Sequence, residues 1–139
     1  MIQPNPSDCA YLSGLFDGEG SISYYQRLQK RKYKKRAYSF WLIRCEISMT
    51  DKPTIEWIYS TLKFGSYRVR LPTKSWKGKK TQWRWRVTHR DAFRFAKMIH
   101  PYSKTKAQLL LKVIHHYRHR GHVWKALLKA SLTSARAIF

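Results

Sequence analysis

Tyr11-Leu12-Ser13-Gly14-Leu15-Phe16-Asp17-Gly18-Glu19-Gly20-Ser21-Ile22 is the stretch on which the fold of this chain turns. From about Ser7 to Asp17 it reads as a helix, with Ser7 suited to the N-cap and Asp8 to the first turn. Ala10, Gly14 and Gly18 recur four residues apart, a stripe of small residues on one helix face, while Leu12, Leu15 and Phe16 supply apolar bulk elsewhere. A glycine inside a helix costs about 1 kcal/mol relative to alanine, which makes sense where another backbone has to approach closely. Asp17 and Glu19 stand at the C-terminal end of this helix. The macrodipole is negative there, so each acid costs about 0.3–1 kcal/mol locally.

Outward from this segment the periodicity changes. Ser21 to about Leu28 alternates as a strand, with Ile22 and Tyr24 on one face and Ser23, Tyr25 and Arg27 on the other. Gln26 to Arg36 carries seven basic residues in eleven and suits a hairpin loop. Ser39 to Met49 returns as a strand whose apolar face is Trp41, Ile43, Cys45, Ile47 and Met49. Phe40, Leu42, Arg44, Glu46 and Ser48 face the other way. Pro53 to Lys63 reads as a helix capped by Asp51, with a buried stripe of Ile55, Ile58 and Leu62, ended by Gly65. Tyr67–Leu71 and Thr81–Thr88 form a second strand pair around the loop Pro72–Lys80. Trp83, Trp85 and Val87 alternate with Gln82, Arg84 and Arg86, and both tryptophans are read as core. A short helix from Asp91 to His100 stops at Pro101. A longer one follows from about Lys104 to Arg120, built on Leu109, Leu110, Val113, Ile114 and Tyr117, and Gly121 breaks it. Val123 to Leu132 has the pattern of one more helix. The expectation is an α+β domain over residues 1–120 in the order αββαββα. Its four-stranded antiparallel sheet carries helices on one face, and residues 121–139 form a C-terminal helical extension.

Charge bounds the function. There are 29 Lys and Arg against 7 Asp and Glu in 139 residues, a net charge of +22. Repulsion on that scale invites a polyanion, and aromatics at 15% argue for a folded binder rather than a basic tail. No apolar run approaches the roughly 18 residues needed to span a bilayer, so no membrane role is expected. Residues 1–6 lack the features of a secretory signal, and the protein is expected to be soluble and intracellular. Cys9 and Cys45 form no CxxC and no zinc spacing. His115, His116, His119 and His122 cluster late in the chain without an acid or cysteine to complete a metal site.

A sheet with helices on one side leaves the other face open. That face collects Tyr25, Arg27, Arg44, Glu46, Arg68, Arg70, Gln82, Arg84 and Arg86. Arginine pairs with guanine O6 and N7, and glutamine with adenine N6 and N7, so this spacing suits the base edges of double-stranded DNA. The basic loops Lys30–Arg36 and Lys74–Lys80 suit phosphates. Glu46 is the acid among these cations. Two readings stand open for it: contact with a cytosine amino group, or pairing with Arg44 or another neighbouring strand arginine. Carboxylates facing DNA are repelled by phosphate unless a cation lies between them. A hard ion that keeps several waters, most simply Mg²⁺, meets that need.

The segment Tyr11–Ile22 closely resembles the LAGLIDADG motif of homing endonucleases. So do the αββαββα order, the Thr50-Asp51-Lys52 turn, the Gly65-Ser66-Tyr67-Arg68 step and the Pro101-Tyr102 entry to a Lys-rich helix, together covering about residues 8–118. The resemblance implies a site-specific double-strand DNA endonuclease that initiates mobility of an intron or a free-standing gene. It implies that motif helices pack in pairs through their small residues, giving Ala10, Gly14, Gly18 and Asp17 an interface role. A single motif implies a homodimer on a near-palindromic site. The last motif acid, here Glu19 rather than the commoner Asp, would bind the metal, and Asp17 would be more structural. A basic residue near the metal is implied at Lys106 or Lys104, depending on the direction of counting. The end of the second strand is implied to carry a polar residue; alignment puts Met49 there, with Ser48 and Thr50 beside it. The protein would act where its target DNA lies, in a bacterial or phage-infected cytoplasm or an organelle. An intron RNA maturase, or a DNA-binding protein that no longer cuts, would use the same fold.

Overall fold

A proline and the residue before it set the first helix. The computed structural model describes residues 4–30, 36–76 and 80–118. In it helix α1 runs Pro6–Glu19, with Pro6 in the first turn and Asn5 as N-cap, its side chain accepting from the Asp8 N–H at 2.8 Å. Asn5, not the expected Ser7, is the cap, because proline needs no hydrogen-bond partner at the first helical position. One face of α1 buries Cys9, Leu12, Ser13 and Phe16. Ser13 is polar and fully buried, and its hydroxyl donates to the Ile99 carbonyl at 2.9 Å, tying α1 to a later helix. Ser13→Ala is expected to lower stability by about 1 kcal/mol. Urea unfolding would read this as an earlier midpoint with an unchanged m-value.

Strands β1 (Gly20–Lys30) and β2 (Ala37–Met49) form a long ribbon, paired without a break from Gly20 opposite Ile47 to Lys30 opposite Ala37. Residues 26–30, expected in the loop, therefore belong to β1. Charge does not disturb a ladder whose side chains are solvated on both faces, and residues 25–30 are all exposed. Helix α2 (Lys52–Leu62) buries Ile55, Ile58 and Leu62 as the spacing predicts. It closes on Lys63 in the left-handed conformation, ahead of the expected stop at Gly65. Gly65, at φ +93°, turns the chain against Trp85, where a Cβ would lie 2.6 Å from Nε1. That indole N–H donates to the Phe64 carbonyl at 3.0 Å.

Strands β3 (Ser66–Arg70) and β4 (Gln82–Thr88) complete a four-stranded antiparallel sheet in the order β1-β2-β4-β3. Helix α3 (His89–Ile99), a short 3-10 turn at His100–Tyr102 and helix α4 (Ala107–Arg118) follow. The core lies between one sheet face and the helices, where Ile43, Cys45, Ile47, Trp85 and Val87 meet Leu12, Phe16, Ile55, Phe95 and Leu110. Trp83 and Met49 pack against its edge. Trp41, expected on the apolar face, lies beyond the core at 37% exposure, tilted against Tyr24 and edge-to-face with His116. The architecture is the α+β arrangement the periodicity predicts. Two expectations for α4 change. It begins at Ala107 rather than Lys104, and Leu109 is exposed on its outer side while Leu110, Val113 and Ile114 are buried. The expected helix at Val123–Leu132, with Arg120, Gly121, His119 and His122, lies outside the described residues, as do the loop cations 31–35 and 77–79. No helix among the described residues is long and apolar enough to cross a membrane.

Candidate active site and nucleic-acid interface

The two acids at the foot of α1 have opposite surroundings. Asp17 turns into its own chain, onto the turn that precedes α4. Its carboxylate accepts from the Ser103 hydroxyl at 2.6 Å and from the backbone N–H groups of Lys104 at 2.7 Å, Lys106 at 3.3 Å and Thr105 at 3.4 Å. These N–H groups belong to the turn just ahead of α4, where successive free donors and the positive end of the following helix dipole favour an anion. Asp17 is thus misplaced on its own helix and well placed on another. This also explains why α4 starts late: residues 103–106 wrap a carboxylate instead of beginning the helix. Ala10, Gly14 and Gly18 of the same stretch are exposed.

Desolvation alone would push the Asp17 carboxyl up. The Ser103 hydroxyl and then the three N–H groups outweigh it and hold the pKa below its ordinary value of 3.8. A depressed folded-state value gives stability that is fully present above that ordinary value and is lost as pH falls through the lower, folded one. Asp17→Asn is therefore expected to melt earlier than wild type, by a constant margin above about pH 5 that closes in more acid solution. Thermal melts of both proteins from neutral pH to pH 3 check this; a margin that widens on acidification would contradict it.

Glu19, the last residue of α1, is exposed, and no hydrogen bond or ion pair engages it among the described residues. No packing or capping reason holds an acid there. Lys106 approaches the same helix end: its ammonium donates to the Asp17 carbonyl at 2.5 Å and lies 5.9 Å from the centre of the Phe16 ring. Lys104 contributes its backbone to Asp17, and its side chain is exposed. Of the two candidate bases, Lys106 is the one whose ammonium caps α1.

On the open sheet face the register aligns the expected residues in rows across the strands. Ser21, Glu46, Arg86 and Ser66 form one row, and Ser48, Arg84 and Arg68 the next. Arg70 pairs with Gln82, and Arg44 lies between Ser23 and Thr88. Tyr25 and Arg27 extend the face along β1 and are exposed. Glu46 is its one acid. It accepts from Arg86 at 2.8 Å, with the Arg44 Nε at 3.8 Å, so the arginine alternative left open by the sequence is the one realised here. Arg84 has no such neutralisation. Burial first, and the like charges of Arg86, Arg44 and Arg70 against an opposing Glu46, lower its pKa. Met49 packs on the core side, opposite Trp83, so the polar residue at that strand end on the open face is Ser48.

Sequence reasoning did not find Ser13, Ser103 or Thr105. The run Ser103-Lys104-Thr105-Lys106 ahead of an apolar helix was a signal that free N–H groups there needed an acceptor.

No protein-family model matches the sequence, and no curated protein matches it significantly. Solved structures do. The homing endonuclease I-CvuI, determined with a DNA target in the presence of Mg and with the DNA not cleaved, has a TM-score of 0.62 at 15% identity. The match covers 81% of this chain and 67% of that one. The homing endonuclease I-TnaI matches at 0.52 and 20% identity over 84% and 76%. The group I intron-encoded I-CeuI, complexed with DNA, matches at 0.56 and 14% identity over 99% and 61%. The chain has the LAGLIDADG homing endonuclease fold, as the motif at Tyr11–Ile22 implies.

Proposed function

We propose that this chain is one half of a homodimeric, divalent-metal-dependent endonuclease that cuts both strands of a long, near-palindromic DNA site. The observation that carries this reading is Glu19, an exposed acid with no partner among the described residues, at a helix end that disfavours it, beside the one sheet face that carries arginine row upon row. Residues that break a local rule with no structural return tend to serve function.

The donor set fits a metal shared between two chains. No group of three or more His, Cys, Asp or Glu among the described residues could hold an ion within one chain. Mg²⁺ does not require one, since it binds through one or two carboxylates, retained waters and substrate phosphate. Glu19 of each subunit would hold it, and once bound it would offset phosphate charge and ready a water. Lys106, already fixed on the Asp17 carbonyl, adds a cation that keeps the DNA backbone close. The arginine rows read base edges, and the basic loops hold phosphates.

Pairing through α1 is supported by charge as well as by its glycines. Residues 1–26 contain no Lys or Arg at all in a chain of net charge +22. This is the stretch that can meet its own copy without cationic repulsion.

The test is incubation of the full chain with a library of long duplexes and Mg²⁺, with sequencing of the cut ends. Rare cuts of both strands, at sites whose halves are related by a dyad, are expected. Tight, Mg²⁺-insensitive binding of intron RNA with no cut DNA would instead make this a maturase. Selection of duplexes that stay whole would make it a DNA-binding protein without cleavage.

A further inference from the structure

On the open sheet face one arginine is held differently from its neighbours. Glu46 receives the Nε of Arg86 at 2.8 Å and its Nη2 at 2.8 Å, both on the same oxygen. The side chains are 21% and 28% exposed, so the pair is only partly screened by water. Arg44 completes the group, its Nε 3.8 Å from that oxygen and its Nη2 donating to the Ser23 hydroxyl at 3.3 Å. In the next row Arg84 and Arg68 have no acid partner among the described residues.

A guanidinium has two donor edges, Nε with Nη2 and Nη1 with Nη2. Glu46 occupies the first edge of Arg86, which leaves the second as a fork of fixed orientation. A flexible arginine adapts to any phosphate or base edge. An oriented one loses less freedom on binding and accepts only a partner whose two acceptors match its geometry. In the major groove that partner is guanine, through O6 and N7.

We propose that Glu46 is a positioning and specificity-determining residue. It reads no base itself, but it buttresses Arg86 so that Arg86 discriminates guanine at one position of each half-site. The proposal rests on the DNA-reading function above. It assigns different tasks to arginines that the sequence presents as equivalent, with Arg86 oriented and Arg84 and Arg68 adaptable.

Selection from random duplexes with Ca²⁺ in place of Mg²⁺, followed by salt titration, tests it on four proteins: wild type, Glu46→Gln, Arg86→Ala and the double variant. Both single variants are expected to lose preference at the same base pair, on the order of 10-fold. The double variant should be no worse there than Arg86→Ala. Glu46→Gln alone should also bind unrelated duplexes more tightly at low salt, with a salt slope steeper by about one, because the released guanidinium turns to phosphate. Melting curves establish that each variant is folded. Lost preference in Glu46→Gln at a position that Arg86→Ala leaves intact would show that Glu46 reads a base directly and overturn the buttress. So would unchanged base preference in folded Glu46→Gln. A wild type that selects no sequence at all would sink the DNA-reading function along with it, an outcome distinct from either of the others.

Discussion

Glu19→Gln is expected to bind target duplex about as well as wild type and to leave it whole, with cleavage reduced on the order of 10³-fold or more. The size follows from what is removed. A charged group placed where charge develops at a reacting phosphate is worth at least as much as an oxyanion-hole donor, whose loss costs roughly 10²–10³ in rate. In a homodimer one substitution removes both copies at once. Binding should survive because the arginine rows belong to strands β2, β3 and β4 and not to α1, and losing an acid next to DNA does not weaken attraction to phosphate. Folding should survive too. Glu19 is exposed and has no ion-pair partner among the described residues, and removing a negative charge from a helix C-terminus is neutral or stabilising by about 0.3–1 kcal/mol. Three measurements separate the roles: single-turnover cleavage, duplex affinity in Ca²⁺, and the melting temperature. Cleavage lost together with a lower melting temperature would make Glu19 structural, and undiminished cleavage would remove it from the mechanism.

The contrast between Glu19 and Asp17 shows what the sequence contains and what it leaves out. Both acids break the same dipole rule, and nothing local separates them. Asp17 finds its compensation in Ser103, a residue 86 positions away, and a helix-by-helix reading has no access to that distance. For the same reason the pattern starts α4 at Lys104: it marks a helix but not the carboxylate that holds residues 103–106 in the turn before it. Periodic information transmitted well. Alternation in β2 and β4 identified the buried Ile43, Cys45, Ile47, Trp85 and Val87, because a pleated strand with one face on a core imposes period two whatever its neighbours are. Parity alone also gathered the arginines onto one face. It did not say which of them Glu46 holds, since the strand pairing puts Arg86 opposite it and Arg44 one row along its own strand, and the pairing is not legible from parity. A run of charge does not by itself mark a loop: β1 continues through Arg27 to Lys30 because a solvated two-stranded ribbon accepts charge on both sides.

Gly14 supplies the second large effect, through a change of sign. A Cβ built at Gly14 meets nothing within 4 Å, and the same holds at Gly18. Within one chain these glycines are therefore wasteful: Gly14→Ala should stabilise an isolated monomer by about 0.5–1 kcal/mol through helix propensity alone. By contrast, Gly20 is required inside the chain, since a Cβ there would sit 2.1 Å from the Phe16 ring. If α1 packs against its twin by close backbone approach, the added atoms fall in the interface. Overpacking costs about 1–3 kcal/mol per site, and a two-fold interface counts it twice. Gly14→Leu should then weaken the dimer by roughly 2–6 kcal/mol, a factor of about 30 or more in Kd. Sedimentation equilibrium is expected to show a dimer for wild type and a folded monomer for Gly14→Leu, with loss of double-strand cleavage. The melting temperature of that monomer should not fall below that of wild type diluted under its dissociation constant. A variant that dimerises and cuts normally would show that the outward glycines of α1 face solvent. The two halves of the site would then have to be joined through some other surface.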